Sequence, residues 1–119
     1  MGVGFEDCSQ WLLCDRAIAM HVPYDTDYPG MVRPYTTATA LSSGWVWDIP
    51  MQSRRSLGYV HSSEFISEED ALKEIRAYQG PGAEKHEART VKFKVGRREA
   101  NWKGNCVAIG LSGGFIEPL

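Results

Sequence analysis

One short segment, WVWDIP at residues 45–50, constrains the fold more than any other part of this chain. Trp45, Trp47 and Ile49 alternate with a valine and an aspartate, and alternate side chains of a β-strand point to opposite faces of a sheet. The closing proline cannot donate a sheet hydrogen bond, so it marks the end of the strand. The segment therefore predicts a strand that carries one large aromatic face.

The residues on either side of this strand predict an antiparallel sheet. A β-favouring stretch at residues 35–39 is followed by the turn-like sequence LSSG at 41–44. On the other side, a polar turn at residues 52–56 leads into a second strand at 57–62. Because these connections are short, we expect neighbouring strands to pair antiparallel.

One helix is well defined by its end signals. Ser67 is a strong N-cap, three acidic residues follow it, and a glycine and a proline at 80–81 end the segment. Ala71, Leu72, Ile75 and Tyr78 form its apolar stripe.

Other segments give weaker signals. Residues 11–22 are apolar enough for a strand pair or a helix, and residues 23–34 read as a loop. Residues 90–95 predict a strand with Val91, Phe93 and Val95 inward, and residues 105–114 predict a short buried strand that runs into a glycine-rich turn. The predicted fold class is α+β, with a mainly antiparallel sheet and one clear helix.

Composition excludes several classes of partner. A length of 119 residues suits one domain with one core. The net charge of −2, from 13 basic and 15 acidic residues, gives no reason to expect nucleic acid as a partner. No apolar run is long enough to span a membrane and no signal peptide is evident, so we expect a cytoplasmic protein.

The cysteines and histidines do not predict a metal site. The cysteines are odd in number and none forms a C-x-x-C pair, while the histidines are widely separated: Cys8, Cys14, Cys106, His21, His61 and His86. We therefore expect no metal ligands and no disulfide, and we interpret the cysteines as buried thiols.

Two tryptophans on one strand face allow two interpretations. Trp45 and Trp47 most often fill a core or an interface, because large aromatic rings contribute much of the packing energy there. The alternative is an aromatic surface for a planar ligand. The glycine-rich turn near residues 110–114 similarly permits close approach of a neighbouring segment or a ligand.

Taken together, these motifs resemble one enzyme family. The segment at 45–50 matches W-x-W-x-I-P, the signature of flavin-dependent halogenases typified by the tryptophan halogenases. Residues 104–119 (GNCVAIGLSGGFIEPL) resemble that family's second flavin-contacting segment. Residues 14–24, 58–62 and 65–71 are also similar to it, so the resemblance runs in order along nearly the whole chain.

The resemblance implies a fold and an activity. Members share the fold of FAD-dependent monooxygenases and use reduced FAD supplied by a separate flavin reductase. With oxygen, they oxidise chloride or bromide and halogenate an electron-rich aromatic substrate, such as tryptophan, that is free or carrier-bound. The implied role is an oxidoreductase of secondary-metabolite biosynthesis.

The resemblance also assigns residues. It puts one set beside the flavin and the internal tunnel, where it keeps the organic substrate from the cofactor: Trp45, Trp47, Ile49 and Pro50. It puts a second set at a main-chain contact with FAD: Gly110, Leu111 and Ser112.

Several essential parts of the family have no counterpart in this sequence. The G-x-G-x-x-G element that binds the FAD pyrophosphate, the catalytic lysine and the catalytic glutamate all fail to map. We therefore expect residues 1–119 to be an internal fragment that holds no catalytic residue and is inactive alone. The alternatives are a flavin-dependent hydroxylase, or a non-catalytic binding domain that uses Trp45 and Trp47.

Overall fold

A computed structural model describes residues 2–24 and 32–116, and these residues fall into two compact units. The larger, which we call the sheet unit, is Arg16–Lys92; the smaller comprises Met1–Asp15 and Phe93–Leu119. No composition shift or linker in the sequence predicts this division. Most of the loop predicted at residues 23–34 lies outside the described residues.

The described residues form ten strands and one α-helix. In chain order the elements are β1 (Phe5–Asp7), β2 (Arg16–Pro23), β3 (Thr37–Leu41), β4 (Gly44–Pro50), β5 (Arg54–His61), α1 (Glu68–Gln79), β6 (Ala88–Lys92), β7 (Gly96–Arg98), β8 (Trp102–Lys103), β9 (Cys106–Val107) and β10 (Gly114–Phe115). Within these residues, no helix is long and apolar enough to cross a membrane.

The sheet unit is a five-stranded sheet with the order β3-β4-β5-β2-β6, and every neighbouring pair is antiparallel. Helix α1 covers one face of this sheet, where Ala71 and Ile75 are fully buried. The core on that face comprises Ile18, Met20, Val22, Val46, Leu57 and Tyr59. The predicted α+β class with one helix is therefore confirmed.

The ends of α1 follow the sequence signals. The Ser67 hydroxyl oxygen accepts a hydrogen bond from the Asp70 amide at 3.1 Å, which satisfies one of the open amides of the first turn. At the other end, Gly80 has a φ of 87° and its amide donates to the Arg76 carbonyl at 2.9 Å. The predicted cap, stripe and terminus are confirmed.

Two strand predictions are wrong in their details. Residues 54–56, predicted as turn, belong to β5, because the ladder between β5 and β2 extends to the pair Arg54 and Pro23. Val91, predicted inward, is 37% exposed. The ladder pairs Ala88 with the buried Met20, so Ala88 faces the core and Val91 faces the other way.

The smaller unit is built from short strands. Strand β7 pairs antiparallel with β1 and β10, and β8 pairs with β9. The buried strand predicted within residues 105–114 is wrong, because β9 spans only two residues and Val107 is 55% exposed. The interpretation of the cysteines as buried thiols also fails: Cys106 is exposed, and Cys8 and Cys14 are half-buried.

Candidate functional site

The two tryptophans of β4 lie on the sheet face opposite the core. Val46 and Asp48 are buried beneath the helix, whereas Trp45 and Trp47 are half-buried on the outer side and Ile49 is 39% exposed. The predicted alternation is confirmed, and both tryptophans lie outside the core of the sheet unit. Alternation defines two faces without stating which one meets the core, and here the smaller side chains do.

The indoles of Trp45 and Trp47 pack against each other. Their ring centroids are 6.4 Å apart and their planes make an angle of 63°, an edge-to-face arrangement. This geometry is favoured because the positive edge of one ring meets the negative face of the other. The pair therefore forms a continuous aromatic surface on the outer face.

The neighbours of Trp47 on the outer face are small. The ladder places Gly58 of β5 directly beside it and Ala19 of β2 beyond that, with Ala38 of β3 on the other side. A methyl group at Gly58 would overlap the six-membered ring of the Trp47 indole. The ring of Trp47 thus lies against the backbone of β5.

The opposite face of the same strand carries a buried ion cluster. The Asp48 side chain is 2% exposed, and Arg55 donates to it from Nη2 at 2.8 Å and from Nε at 3.1 Å. Arg33 donates from its own Nη2 at 2.8 Å, and the Tyr78 hydroxyl lies 3.5 Å from the same carboxylate oxygen. Arg55 also bonds the Gln79 side chain at 3.2 Å, so the cluster joins β4, β5 and the end of α1.

The electrostatics of this cluster favour the charged carboxylate. Burial alone raises the pKa of Asp48, but the hydrogen bonds and positive charges of Arg55 and Arg33 outweigh it and hold the pKa below its ordinary value of 3.8. The Asp48 carboxylate in turn raises the pKa of Arg33. A cavity of about 400 Å³ opens beside the cluster, lined by Val32, Pro50 and Tyr78 among others.

The second predicted set, Gly110, Leu111 and Ser112, forms a single 3₁₀ turn in the smaller unit. The Ser112 hydroxyl donates to the Ile109 carbonyl at 2.7 Å and accepts from the Ile109 amide at 3.0 Å, which fixes the turn. The Leu111 side chain is 79% exposed. With Phe5, Phe93, Arg98 and Phe115 among its neighbours, it lines a cavity of about 380 Å³.

The structure brings the members of the first predicted set together on one strand, and the members of the second set together in one turn. Trp45, Trp47, Ile49 and Pro50 lie on one strand of the sheet unit, whereas residues 110–112 belong to the smaller unit. Across residues 2–24 and 32–116, no three histidine, cysteine, aspartate or glutamate side chains are grouped so as to hold a metal ion.

Neither the ion cluster around Asp48 nor the close approach of the Trp47 ring to Gly58 is predicted from the sequence. Arg55 falls in the predicted polar turn at residues 52–56, yet it donates a hydrogen bond to the buried carboxylate of Asp48. The available signal was Asp48 itself, a charged residue between the apolar Trp47 and Ile49 in a strand. An aspartate that becomes buried there requires a cationic partner. Its partners, however, are 7 and 15 residues away along the chain.

Comparison with known proteins assigns the family. The family model described as "Tryptophan halogenase" matches residues 1–119. The chain belongs to the tryptophan halogenase family. The resemblance inferred from W-x-W-x-I-P is therefore confirmed over the full chain.

Individual members of the tryptophan halogenase family agree with this assignment. The chain is 44% identical over 119 residues to tryptophan 6-halogenase SttH of Streptomyces toxytricini, covering all of this chain and 23% of that protein. It is 45% identical over 115 residues to tryptophan 7-halogenase RebH of Lentzea aerocolonigenes, covering 97% of this chain and 22% of that protein.

The fold agrees as well. The crystal structure of SttH superposes with a TM-score of 0.91, covering 98% of this chain and 23% of that one. The partial match to the halogenase fold predicted from sequence is thus confirmed. The chain spans about a quarter of the length of the halogenases that it matches.

Proposed function

We propose that the protein carrying this chain is an FAD-dependent halogenase that chlorinates or brominates an electron-rich aromatic compound, with tryptophan as the first candidate. The relatives named above are tryptophan halogenases. The reduced FAD would come from a separate flavin reductase, and chloride or bromide would be the second substrate. FAD supplies the oxidising chemistry, while the protein binds, orients and shields the reactants.

The observation that carries this proposal is the placement of the indole pair. Trp45 and Trp47 lie opposite the core, and the ladder partners of Trp47 on that face are the small residues Gly58 and Ala38. Val46, the residue between them, is instead buried in the core beneath α1. The pair is therefore available to form the wall that, in the proposed enzyme, separates the aromatic substrate from the flavin.

The turn at residues 110–112 suits a flavin contact. Leu111 offers an exposed apolar side chain, and the hydrogen bonds between Ser112 and Ile109 hold the turn in one conformation. Apolar side chains and main-chain groups on a fixed turn are what a flat heterocycle requires. In the proposed function, Gly110, Leu111 and Ser112 contact FAD, and Ile49 and Pro50 complete the wall begun by the tryptophans.

The proposed wall predicts how the products change when it is weakened. In the protein expressed from its complete coding sequence, Trp45→Leu and Trp47→Leu should each lower the halogenated product formed per reduced FAD by roughly tenfold, with a matching rise in hydrogen peroxide or hydroxylated product. The measurement is chromatography with mass spectrometry, alongside a peroxide assay.

Trp11→Leu is the matched control, because Trp11 is 67% exposed in the smaller unit and has no place in the proposed wall. This variant should keep the product ratio of the wild type. Equal hydroxylation by the wild type and both wall variants, with no halogenated product, would favour the hydroxylase alternative. Flavin-independent binding of an aromatic ligand would instead favour the non-catalytic domain.

A further inference from the structure

We propose that Gly58 is a positioning residue for the indole pair: its missing side chain lets the Trp47 ring lie against strand β5 and so sets the edge-to-face contact with Trp45. The structural part of this inference depends only on the sheet geometry. Its consequence for halogenation rests on the function proposed above.

The register of the sheet places Gly58 next to Trp47. Trp47 and Gly58 are direct partners in the antiparallel ladder between β4 and β5. Side chains at such partner positions begin only about 4.5–5.5 Å apart, so each limits the space of the other. Any group larger than hydrogen at position 58 would enter the volume next to Trp47.

The ring of Trp47 fills the space in which a side chain at position 58 would begin. A Cβ built at Gly58 would collide with three adjacent carbons of the Trp47 six-membered ring, Cε2, Cζ2 and Cη2. Those three atoms are at nearly equal distances, which indicates that the ring presents its face to the glycine. The indole therefore occupies the space that a side chain would take in any other residue.

The backbone conformation of Gly58 does not itself require glycine. Gly58 is not among the glycines with positive φ, so its backbone is one that alanine adopts without strain. Alanine is also a better strand residue than glycine, because it loses less backbone entropy on folding. The feature that favours glycine here is space, because the three heavy atoms nearest to a Cβ at position 58 all belong to the Trp47 ring.

The ladder pair of Trp45 differs from that of Trp47. Trp45 has Val60 as its ladder partner on β5, and Val60 is 5% exposed. The β-branched side chain of Val60 fills the space beside Trp45 that corresponds to the space left open by Gly58 beside Trp47. The two tryptophans therefore have different partners on β5, Gly58 for Trp47 and Val60 for Trp45, and their rings meet at an angle of 63°.

A double-mutant cycle on the protein from its complete coding sequence tests the inference. Gly58→Ala should lower the folded-to-unfolded ratio by roughly 5- to 150-fold, the usual range for overpacking, and should remove the exciton-coupled circular dichroism of the indole pair. In a Trp47→Leu background the flexible leucine leaves room, so Gly58→Ala should change the ratio less than twofold. Ser56→Ala, on the same face of β5 beside Ile49, is the control and should leave the dichroism unchanged.

Each outcome of the cycle bears on the proposal. If Gly58→Ala fails to fold but the double variant Trp47→Leu/Gly58→Ala folds, the overlap with Trp47 is the cause and the proposal holds. Equal losses in both backgrounds, or an unchanged dichroism signal in Gly58→Ala, would overturn it. Because neither measurement uses catalysis, failure of the proposed halogenation would be seen separately, as absent product with an intact cycle.

Discussion

Replacing Asp48 by alanine is expected to lower the free energy of unfolding by about 3 kcal/mol, measured by urea denaturation. Removal of one partner from a buried ion pair typically costs about 3–5 kcal/mol, because the remaining charge loses its compensation. The low end applies here, since the side chains of Arg33 and Arg55 are 34% and 25% exposed and can regain contact with water.

The effect of Asp48 should depend on pH in a defined direction. The folded pKa lies below 3.8, so the ionised carboxylate stabilises the fold above that pH, and this contribution is lost as the pH falls through the folded pKa. The stability difference between wild type and Asp48→Asn should therefore stay constant near neutrality and shrink in acid. A difference that persisted undiminished to roughly pH 2 would contradict the ion-pair account.

An exposed ion pair in the same unit provides the control for Asp48. Lys73 bonds Glu69 at 3.0 Å on the outer surface of α1, and both side chains are more than half exposed. Exposed pairs are screened by water and salt, so Glu69→Ala should leave the unfolding midpoint within experimental error of the wild type. A loss equal to that of Asp48→Ala would show that burial is not the cause of the difference.

Truncation of the core should have an effect of similar size. Leu57 is fully buried and its ladder partners are Asp48 and Met20. Leu57→Ala is expected to lower the free energy of unfolding by about 2–5 kcal/mol, from the lost transfer energy of the removed carbons and the cavity that remains. Urea denaturation with an unchanged slope would identify this as a loss of native stability.

The matched variant for Leu57 keeps the volume of the side chain. Leu57→Met should cost less than about 1.5 kcal/mol, because a flexible thioether fills the same space. If alanine and methionine were equally tolerated, Leu57 would not be a core residue and the inner face of the sheet would be wrongly assigned.

Local signals in the sequence predicted the elements around the signature segment and the helix. The hairpin at residues 41–44, the alternation of β4 and the cap at Ser67 each depend on neighbouring residues, so their physics is contained in a short window. The family signature likewise lies within six consecutive residues. These features could be predicted because no distant part of the chain is needed to define them.

What the sequence could not predict depends on tertiary contacts. Which face of β4 meets the core is decided by α1, which covers the side of Val46 and leaves Trp47 outside. The partners of Asp48 are brought to it only by the sheet register and by the segment before β3. The orientation of Val91 follows from the pairing of β6 with β2, and no local pattern contains that register.

The ion cluster and the indole pair occupy opposite faces of the same strand. Asp48 lies between Trp47 and Ile49 in the chain, so the hydrogen bonds from Arg33 and Arg55 fix the backbone from which Trp47 projects. Gly58 then determines where its ring lies. The signature segment thus combines a buried electrostatic anchor with an aromatic surface, and this combination underlies the proposed function.

The most direct test of that function is the mass spectrum of the product. The protein from its complete coding sequence is incubated with tryptophan, reduced FAD, oxygen and bromide. The account predicts a monobrominated product with the paired isotope peaks of bromine, and no such product when bromide or reduced FAD is omitted. A hydroxylated product in place of the brominated one would contradict it. So would the recovery of tryptophan, and of every other electron-rich aromatic compound tried, without any change.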